Sequence, residues 1–110
     1  MHFSKRGAFH HEYGIYAPED VSEIIEMARR RGIRVIPEFD TPGHVKSWGL
    51  GHPEHLADCF HDGIKNLLDI SKESTFQFLS ELFDEIMKTF PEEYLHLGGD
   101  EVGTGGEDCW

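Results

Sequence analysis

Residues 33–44 read IRVIPEFDTPGH, a β-branched run that passes directly into a polar loop. The run over 33–39 predicts a short buried strand, although Pro37 weakens the prediction for its last residues because proline cannot donate to a sheet ladder. Before this strand, Pro18 suits the first position of a helix, and Gly32 is a typical helix stop. The apolar face of that helix has the i, i+3, i+4, i+7 spacing and contains Val21, Ile24, Ile25 and Ala28.

The second half of the chain repeats this order. A long segment, residues 40–69, is rich in Gly, Pro, His and Asp, and long loops of this kind tend to be functional. Ser71 is the predicted N-cap of a second helix that ends near Phe90, and residues 94–97, YLHL, form a second short apolar strand. The predicted apolar stripe of the second helix contains Phe76, Leu79, Leu82, Phe83, Ile86 and Met87.

Helix, strand, loop, helix and strand, with polar residues after each strand, is the pattern of a parallel α/β protein. Chemistry in such folds lies beyond the carboxyl ends of the strands. A full (β/α)₈ barrel takes about 250 residues, or roughly 31 per unit, so a chain this long would cover about three and a half units. We therefore expect residues 1–110 to contain no complete domain, and the isolated chain to be inactive and poorly folded.

The charge of the chain excludes one class of partner. Its formal net charge is −11, from 21 acidic and 10 basic residues, so its field would repel nucleic acid. The one basic cluster, residues 29–31, falls in the last turn of the first predicted helix, where cations suit the helix dipole. No stretch approaches the roughly 20 apolar residues of a membrane span, and residues 1–6 lack the apolar core of a signal peptide.

The strongest candidates for chemistry are Asp100 and Glu101, which follow two glycines at the end of the second strand. Glycines let the backbone leave strand geometry, so both carboxylates can face one cavity. Two crowded carboxylates resist ionising together, so one can act as a general acid while the other stays an anion. The alternative is an ordinary acidic dipeptide at a loop or helix start.

Polar residues after the first strand are the second set of candidates. His44 could hydrogen-bond a carboxylate across the pocket, or it could be a surface histidine of the loop. Asp40 precedes Thr-Pro-Gly and is interpreted as a turn-former. His96 alternates with apolar neighbours and is interpreted as an interior histidine with its hydrogen bonds satisfied.

Other chemistry-bearing residues give weaker signals. Trp48 and Trp110 could stack on sugar rings or serve packing, and Cys59 and Cys109 could be two separate thiols or a disulfide. No metal site is expected, because the spacing of the candidate ligands is not a recognised one. Those candidates are His10, His11, Glu12, His52, His55 and His61.

The string HLGGDEV at 96–102 resembles the active-site motif of glycoside hydrolase family 20, the β-N-acetylhexosaminidases. Residues 31–44, with SWG at 47–49, are similar to the third strand and loop of that family's barrel, and residues 16–21 resemble the start of its second helix. The resemblance runs from about Gly14 to the end of the chain. It implies a partial (β/α)₈ TIM barrel, from about helix 2 through strand 4.

The resemblance also implies a mechanism, in which the substrate assists its own hydrolysis with retention and no cofactor takes part. Glu101 would be the general acid and later the base. Asp100 would orient the 2-acetamido group, whose carbonyl attacks the anomeric carbon, and would stabilise the oxazolinium intermediate. His44 matches a histidine of the active-site hydrogen-bond network, and Asp40 would support the site beside it.

Animal lysosomal members of the family imply a disulfide between Cys59 and Cys109, although residues 103–108 form a longer insertion before the second cysteine than that pattern has. The resemblance further implies a lysosomal or secreted protein and is consistent with a dimer. Its substrates would be glycans, glycolipids or chitin oligomers that end in N-acetylglucosamine or N-acetylgalactosamine. Two alternatives stay open: a non-catalytic truncated relative, and a metal-dependent barrel enzyme with Asp, Glu and His ligands.

Overall fold

The computed structural model describes residues 14–58 and 66–102. Two α-helices, α1 (Pro18–Arg29) and α2 (Glu73–Thr89), are separated by two short 3₁₀ helices, Lys46–Leu50 and Pro53–His55. Helices α1 and α2 lie against each other. The two helices predicted from the sequence are confirmed in the predicted order.

Local signals explain both ends of α1. Pro18 is the first helical residue, and the backbone N–H of Ala17 donates to the Asp20 carboxylate over 2.8 Å. Gly32 follows the helix with a φ of 69°, a left-handed conformation that suits glycine. In the last turn, hydrogen bonds from Arg29 and Arg30 lower the pKa of Glu26 to about 2. The basic cluster is thus engaged, in part, within its own helix.

Helix α2 begins two residues later than the predicted cap. Its N-cap is Lys72, and the Ser71 hydroxyl donates instead to the Asp69 carboxylate over 2.5 Å. The prediction that Ser71 caps this helix is therefore wrong, because an acceptor two residues upstream takes its hydroxyl. The same carboxylate pairs with the Lys72 ammonium at 2.9 Å, and these contacts lower the pKa of Asp69.

The buried faces differ in part from the predicted stripes. Phe76 and Met87 are exposed on α2, whereas Phe78, which was not predicted, is buried. The buried positions of this helix follow the spacing of three and four residues and are Thr75, Phe78, Leu82 and Ile86. On α1 no residue is fully buried, and Ile24 is exposed. The apolar faces exist as predicted, but only part of each is covered by the described residues.

The two predicted strands meet in parallel, but each is reduced to a single bridge. Glu38 and His96 form this parallel bridge, and no longer strand occurs in the described ranges. The His96 N–H donates to the Pro37 carbonyl at 3.0 Å, and the Phe39 N–H donates to the His96 carbonyl at 3.1 Å. The predicted extents, 33–39 and 94–97, are therefore too long. Parallel strands are stabilised by neighbours and by helices on both faces, which the described segments supply only in part.

A small apolar core lies under the long loop. Val45, Leu56 and Leu68 are buried together, with Trp48 and Leu79 packed against them. An antiparallel bridge joins Leu56 to Leu68, so the middle of the loop is held beside its last residues. Trp48 packs edge-on to Phe78, with ring centroids 6.2 Å apart, which confirms the packing interpretation of this tryptophan.

Much apolar surface lies outside this core. Within the described ranges the exposed large apolar residues include members of both helices and of both strand segments. None of the helices described is both long enough and apolar enough to cross a membrane. The exposed residues on and beside the bridged segments are Ile33, Ile36, Tyr94 and Leu97.

Candidate active site

The parallel bridge brings the ends of the two strand segments together. Just beyond it, the Thr41 N–H donates to the Leu97 carbonyl over 3.1 Å. The Asp40 carboxylate, at Oδ1, then accepts the backbone N–H of Gly99 at 2.7 Å, across 59 positions of sequence. Asp40 was interpreted as a turn-former; in the structure its carboxylate also ties the two segments together at the point where the polar residues begin.

The turn between the second strand and the acidic pair depends on glycine. Gly98 has a φ of 68° and Gly99 a φ of 107°, so the chain leaves strand geometry at both, as predicted. At Gly98 there is also no room for a side chain, since a Cβ would lie 2.7 Å from the Asp40 Cα and nearer still to its carboxylate. Gly98 therefore lets Asp40 approach the turn that carries Asp100 and Glu101.

Replacement of Gly98 by alanine should lower the free energy of unfolding by more than the left-handed φ alone explains. The matched control is Gly32→Ala, because Gly32 has a φ of 69° but nothing within 4 Å of its Cβ position. Gly32→Ala should lower the free energy of unfolding by about 1–2 kcal/mol. Gly98→Ala should lower this free energy by roughly 1–3 kcal/mol more, because the Asp40 Cα atom must move away from the new Cβ. Urea unfolding of both variants, made in the complete barrel that carries this segment, measures this. Equal losses would show that Asp40 does not press on Gly98.

His44 and Glu101 face each other across the site. The His44 Nε2 atom lies 3.3 Å from Glu101 Oε2 and 4.0 Å from Asp40 Oδ2. Both residues have left-handed backbones, with φ values of 57° for His44 and 49° for Glu101. Non-glycine residues adopt this conformation rarely and often at functional sites. The structure thus supports the interpretation in which His44 reaches a carboxylate across the pocket.

Asp100 also lies beside Asp40. Its side chain is close enough to the Asp40 carboxyl to contribute to the lowered pKa of that group. The ligand atoms of Asp40, His44 and Asp100 lie within 4.8 Å of one another, so this group could also hold a cation. Behind it, a Cβ on Gly43 would stand 3.6 Å from the Asp100 carbonyl and 3.8 Å from that of Glu101, so the two loops are in close contact.

The environment of Asp40 favours its ionised form. The Gly99 N–H bond is the largest cause that lowers the pKa of Asp40, and the Asp100 hydrogen bond and the neighbouring His44 add to it. A carboxyl whose pKa is lowered on folding stabilises the fold above its unfolded pKa. This contribution is lost as the pH falls through the folded pKa. Asp40 is thus a fixed acceptor that positions the Gly99 turn at neutral and mildly acidic pH.

The other candidate residues from the sequence either lie in a different environment from the predicted one or fall outside the described residues. His96 was expected in the interior, but its side chain is 62% exposed; its Nδ1 accepts the Gly98 N–H at 3.1 Å and lies 3.4 Å from Glu38 Oε1. No further strand covers it within the ranges that the structure describes. The remaining candidates lie outside those ranges: Cys59, Cys109, Trp110, His10, His11, Glu12 and His61.

One cluster was missed from the sequence. His52, Glu54 and His55 come together around the second 3₁₀ helix, with their ligand atoms within 4.8 Å of one another. The two histidines were placed in an irregular loop, and no metal site was expected. A tight turn that starts at Pro53 could have been anticipated from that proline, but the convergence of three side chains could not.

Nearly the whole sequence matches a family model. The match covers residues 2–110 and is to "Glycosyl hydrolase family 20, catalytic domain". The chain belongs to glycosyl hydrolase family 20. The resemblance seen in the strand-end motifs is confirmed.

Known relatives in this family are similar over nearly the whole chain. Beta-hexosaminidase A of Caenorhabditis briggsae is 48% identical over 101 residues, which cover 87% of this chain and 18% of that protein. Beta-hexosaminidase subunit alpha of Mus musculus is 48% identical over 111 residues, which cover 97% of this chain and 20% of that protein. The chain therefore spans about a fifth of the length of these curated relatives.

Solved structures of family 20 proteins share the fold. The β-N-acetylhexosaminidase of Bacteroides fragilis superposes with a TM-score of 0.79 at 38% identity and covers 97% of this chain and 23% of its own. An exo-β-N-acetylglucosaminidase of Vibrio harveyi, solved in complex with N-acetylglucosamine, gives a TM-score of 0.74 at 29% identity. That alignment covers 86% of this chain and 16% of the Vibrio chain.

Proposed function

We propose that this chain supplies the acid–base part of an enzyme that removes terminal β-linked N-acetylhexosamine residues by a retaining, substrate-assisted reaction. The observation that carries the proposal is the arrangement at the strand ends. Within a family 20 sequence, Glu101 and Asp100 emerge from a glycine turn held by Asp40, and His44 lies 3.3 Å from Glu101. Family membership favours this hypothesis over a metal-dependent barrel enzyme.

In the proposed reaction, Glu101 donates a proton to the glycosidic oxygen as the bond to the leaving group breaks. The carbonyl oxygen of the substrate's own acetamido group forms the new bond to the anomeric carbon. Glu101 then takes a proton from the water that opens the oxazolinium intermediate. The Glu101 side chain is 77% exposed in the described part of the chain, so a substrate could reach it. His44 contacts this carboxylate and orients it.

Asp100 has a different proposed role, because its carboxyl lies beside that of Asp40, whereas the Glu101 carboxylate is paired with His44. A fixed carboxylate beside the acetamido group would align the carbonyl for attack and stabilise the positive charge that develops on the nitrogen. Asp40 accepts a hydrogen bond from the Gly99 N–H and lies beside Asp100, so it is a positioning residue. Two neighbouring carboxyls in different surroundings can in this way take different roles.

The test compares two substrates that differ only in the acetamido group. The complete barrel that carries this segment should hydrolyse a fluorogenic β-N-acetylglucosaminide. It should not detectably hydrolyse the matching β-glucoside, because that substrate lacks the internal nucleophile. Equal rates on the two would refute substrate assistance. No hydrolysis of either would favour the remaining alternative, a non-catalytic relative.

The proposed substrates are glycans, glycolipids or chitin oligomers that end in N-acetylglucosamine or N-acetylgalactosamine. Support comes from the names of the relatives, which are β-hexosaminidases, and from the N-acetylglucosamine bound in the Vibrio structure. A dimeric assembly is also proposed, since the mouse relative is named as a subunit. Light scattering of the complete protein measures that assembly.

Residues 1–110 are further proposed to be about helix 2 through strand 4 of a (β/α)₈ barrel and to need the rest of it. The exposed Ile33, Ile36, Tyr94 and Leu97 beside the parallel bridge are a surface that further strands would cover. We expect the purified 110-residue chain to show no cooperative melt and no turnover. A cooperative thermal transition together with turnover of the N-acetylglucosaminide would contradict this.

A disulfide between Cys59 and Cys109, both outside the described residues, remains a prediction. Closure of a loop of about 50 residues should stabilise the fold on the order of 4 kcal/mol in the chain-entropy model. Such a bond needs an oxidising compartment, in keeping with a lysosomal or secreted protein. Peptide mapping of the complete protein without reduction should recover one linked peptide pair. Recovery of both cysteines as free thiols would reject the bond and weaken the proposed location.

A further inference from the structure

The cluster of His52, Glu54 and His55 is separate from the candidate active site and has no part in the proposed reaction. Its geometry is set by one carboxylate oxygen. Glu54 Oε1 lies 3.3 Å from the Nδ1 atom of His52 and 3.7 Å from the Nε2 atom of His55. All three candidate donor atoms lie within 4.8 Å of one another.

These distances can be compared with those of a zinc site. Zn²⁺ binds histidine nitrogen and carboxylate oxygen at about 2.0–2.2 Å in tetrahedral geometry, which places neighbouring donor atoms roughly 3.3–3.5 Å apart. The His52 to Glu54 separation already has this value, and the His55 to Glu54 separation of 3.7 Å exceeds it slightly. The separation between the two imidazole nitrogens is within 4.8 Å, so rotations that draw the side chains together would bring the three donors around one cation.

The backbone that carries the three residues is held in place. His52 is the N-cap of the 3₁₀ helix Pro53–His55, in which proline restricts the first residue. The Lys72 ammonium donates to the Glu54 carbonyl at 3.0 Å, and the Asp69 N–H donates to the His55 carbonyl at 2.8 Å. Ligands on a restrained backbone lose little entropy when a cation binds.

The rings are also positioned by packing on α2. His55 stacks on Phe78 with centroids 4.5 Å apart and planes 23° apart, and the His52 ring lies 4.9 Å from the same phenylalanine. His55 is only 8% exposed. Packing of this kind limits the rotamers of both imidazoles. It leaves His52 Nδ1 and His55 Nε2 directed at the Glu54 carboxylate.

His55 carries a cost that an apolar residue would avoid. Its Nδ1 atom is buried and has no hydrogen-bond partner among the described residues. A buried polar atom without a partner costs free energy and calls for an explanation. An apolar side chain could pack on Phe78 without that cost, so the feature that histidine adds here is the second ring nitrogen, Nε2, directed at Glu54.

We propose that His52, Glu54 and His55 bind a divalent transition-metal cation, Zn²⁺, with water in the fourth position. Two imidazoles and a carboxylate are ligands that suit zinc. The cation would fasten the second 3₁₀ helix against α2 and so stabilise the loop that follows the first strand. The proposal does not rest on the proposed glycosidase function, because neither the acidic pair nor His44 is a ligand.

Zinc binding to the complete barrel that carries this segment, stripped with a chelator, tests the proposal by titration calorimetry. The variants Glu54→Gln and His52→Asn each remove one ligand and should weaken binding by about 100-fold or more, since loss of a mere supporting contact costs 10- to 100-fold. Glu81→Gln is the matched control, because it removes the same charge from an exposed position on α2. The control should bind zinc as the unaltered protein does.

Thermal melts with and without zinc supply a second readout. The unaltered protein and Glu81→Gln should show a raised Tm in zinc, whereas the two ligand variants should melt at the same temperature with and without it. Melts in chelator show whether each variant is folded. The absence of zinc binding by the unaltered protein would overturn the proposal. Equal binding by all variants would also overturn it, since other histidines would then hold the metal.

Discussion

Glu101→Gln in the complete barrel should reduce turnover of substrates with poor leaving groups by about 10² to 10⁴, the usual contribution of a positioned acid. The glutamine keeps the size of the side chain but cannot donate the proton that an alkoxide needs on departure. Activated aryl N-acetylglucosaminides need little protonation in this step and should lose much less. Initial rates over a series of leaving groups measure the difference as a steeper dependence on leaving-group pKa.

The pH profile gives this variant a second signature. Loss of activity on the alkaline side reports the general acid in its deprotonated form, so that limb should flatten in Glu101→Gln. Glu93→Gln, a charge-matched change at another exposed position, should keep the profile and the rates of the unaltered enzyme. A Glu101→Gln enzyme that lost the same factor on every leaving group would show that Glu101 is not the acid.

Asp100→Asn should slow good and poor leaving groups alike, by about 10² to 10³, the cost of removing one preorganised electrostatic contact. The amide keeps the shape of the side chain but loses the negative charge that aligns the acetamido group and stabilises the oxazolinium intermediate. It also changes the contact with the neighbouring Asp40, whose pKa the Asp100 side chain helps to lower. The leaving-group series used for Glu101→Gln is the appropriate measurement.

Comparing the leaving-group dependence of the two variants tests the two roles more stringently than either variant alone. Asp84→Asn, on the exposed face of α2, controls for the change in charge and should be unaffected. If Asp100→Asn showed the steep leaving-group dependence expected of Glu101→Gln, the two roles would have to be exchanged. If both variants showed the same dependence, the division of labour between the two carboxyls would be wrong.

Several features of the site follow from short-range rules and could be predicted from the sequence. Pro18 and Gly32 delimit α1 with a fixed φ and a left-handed stop, which are properties of single residues. The left-handed glycines at 98 and 99 likewise allow the acidic pair to leave the strand. The motif around that pair was specific enough to indicate family 20, which the family model confirmed.

Other features depend on contacts between distant parts of the chain and were wrong or missed. The stripe on α2 was placed over Phe76 and Met87, but packing against the core under the loop selects Phe78 instead. His96 was expected to be buried, but its side chain is exposed. Burial of a strand residue depends on the elements that pack over it, and alternation of apolar residues along the strand does not predict those elements. The strand lengths were too great for the same reason, since strands are stabilised by their neighbours.

The sequence alone determined where the helices form and which residue types stand after each strand, because helix periodicity, proline and glycine act over a few residues. Only the tertiary structure decided that Asp40 holds the Gly99 turn from 59 positions away and that His44 meets Glu101. It also brought His52, Glu54 and His55 to one point. Contacts of this kind join residues that are far apart in the sequence or depend on exact side-chain distances. Short-range sequence patterns do not specify either.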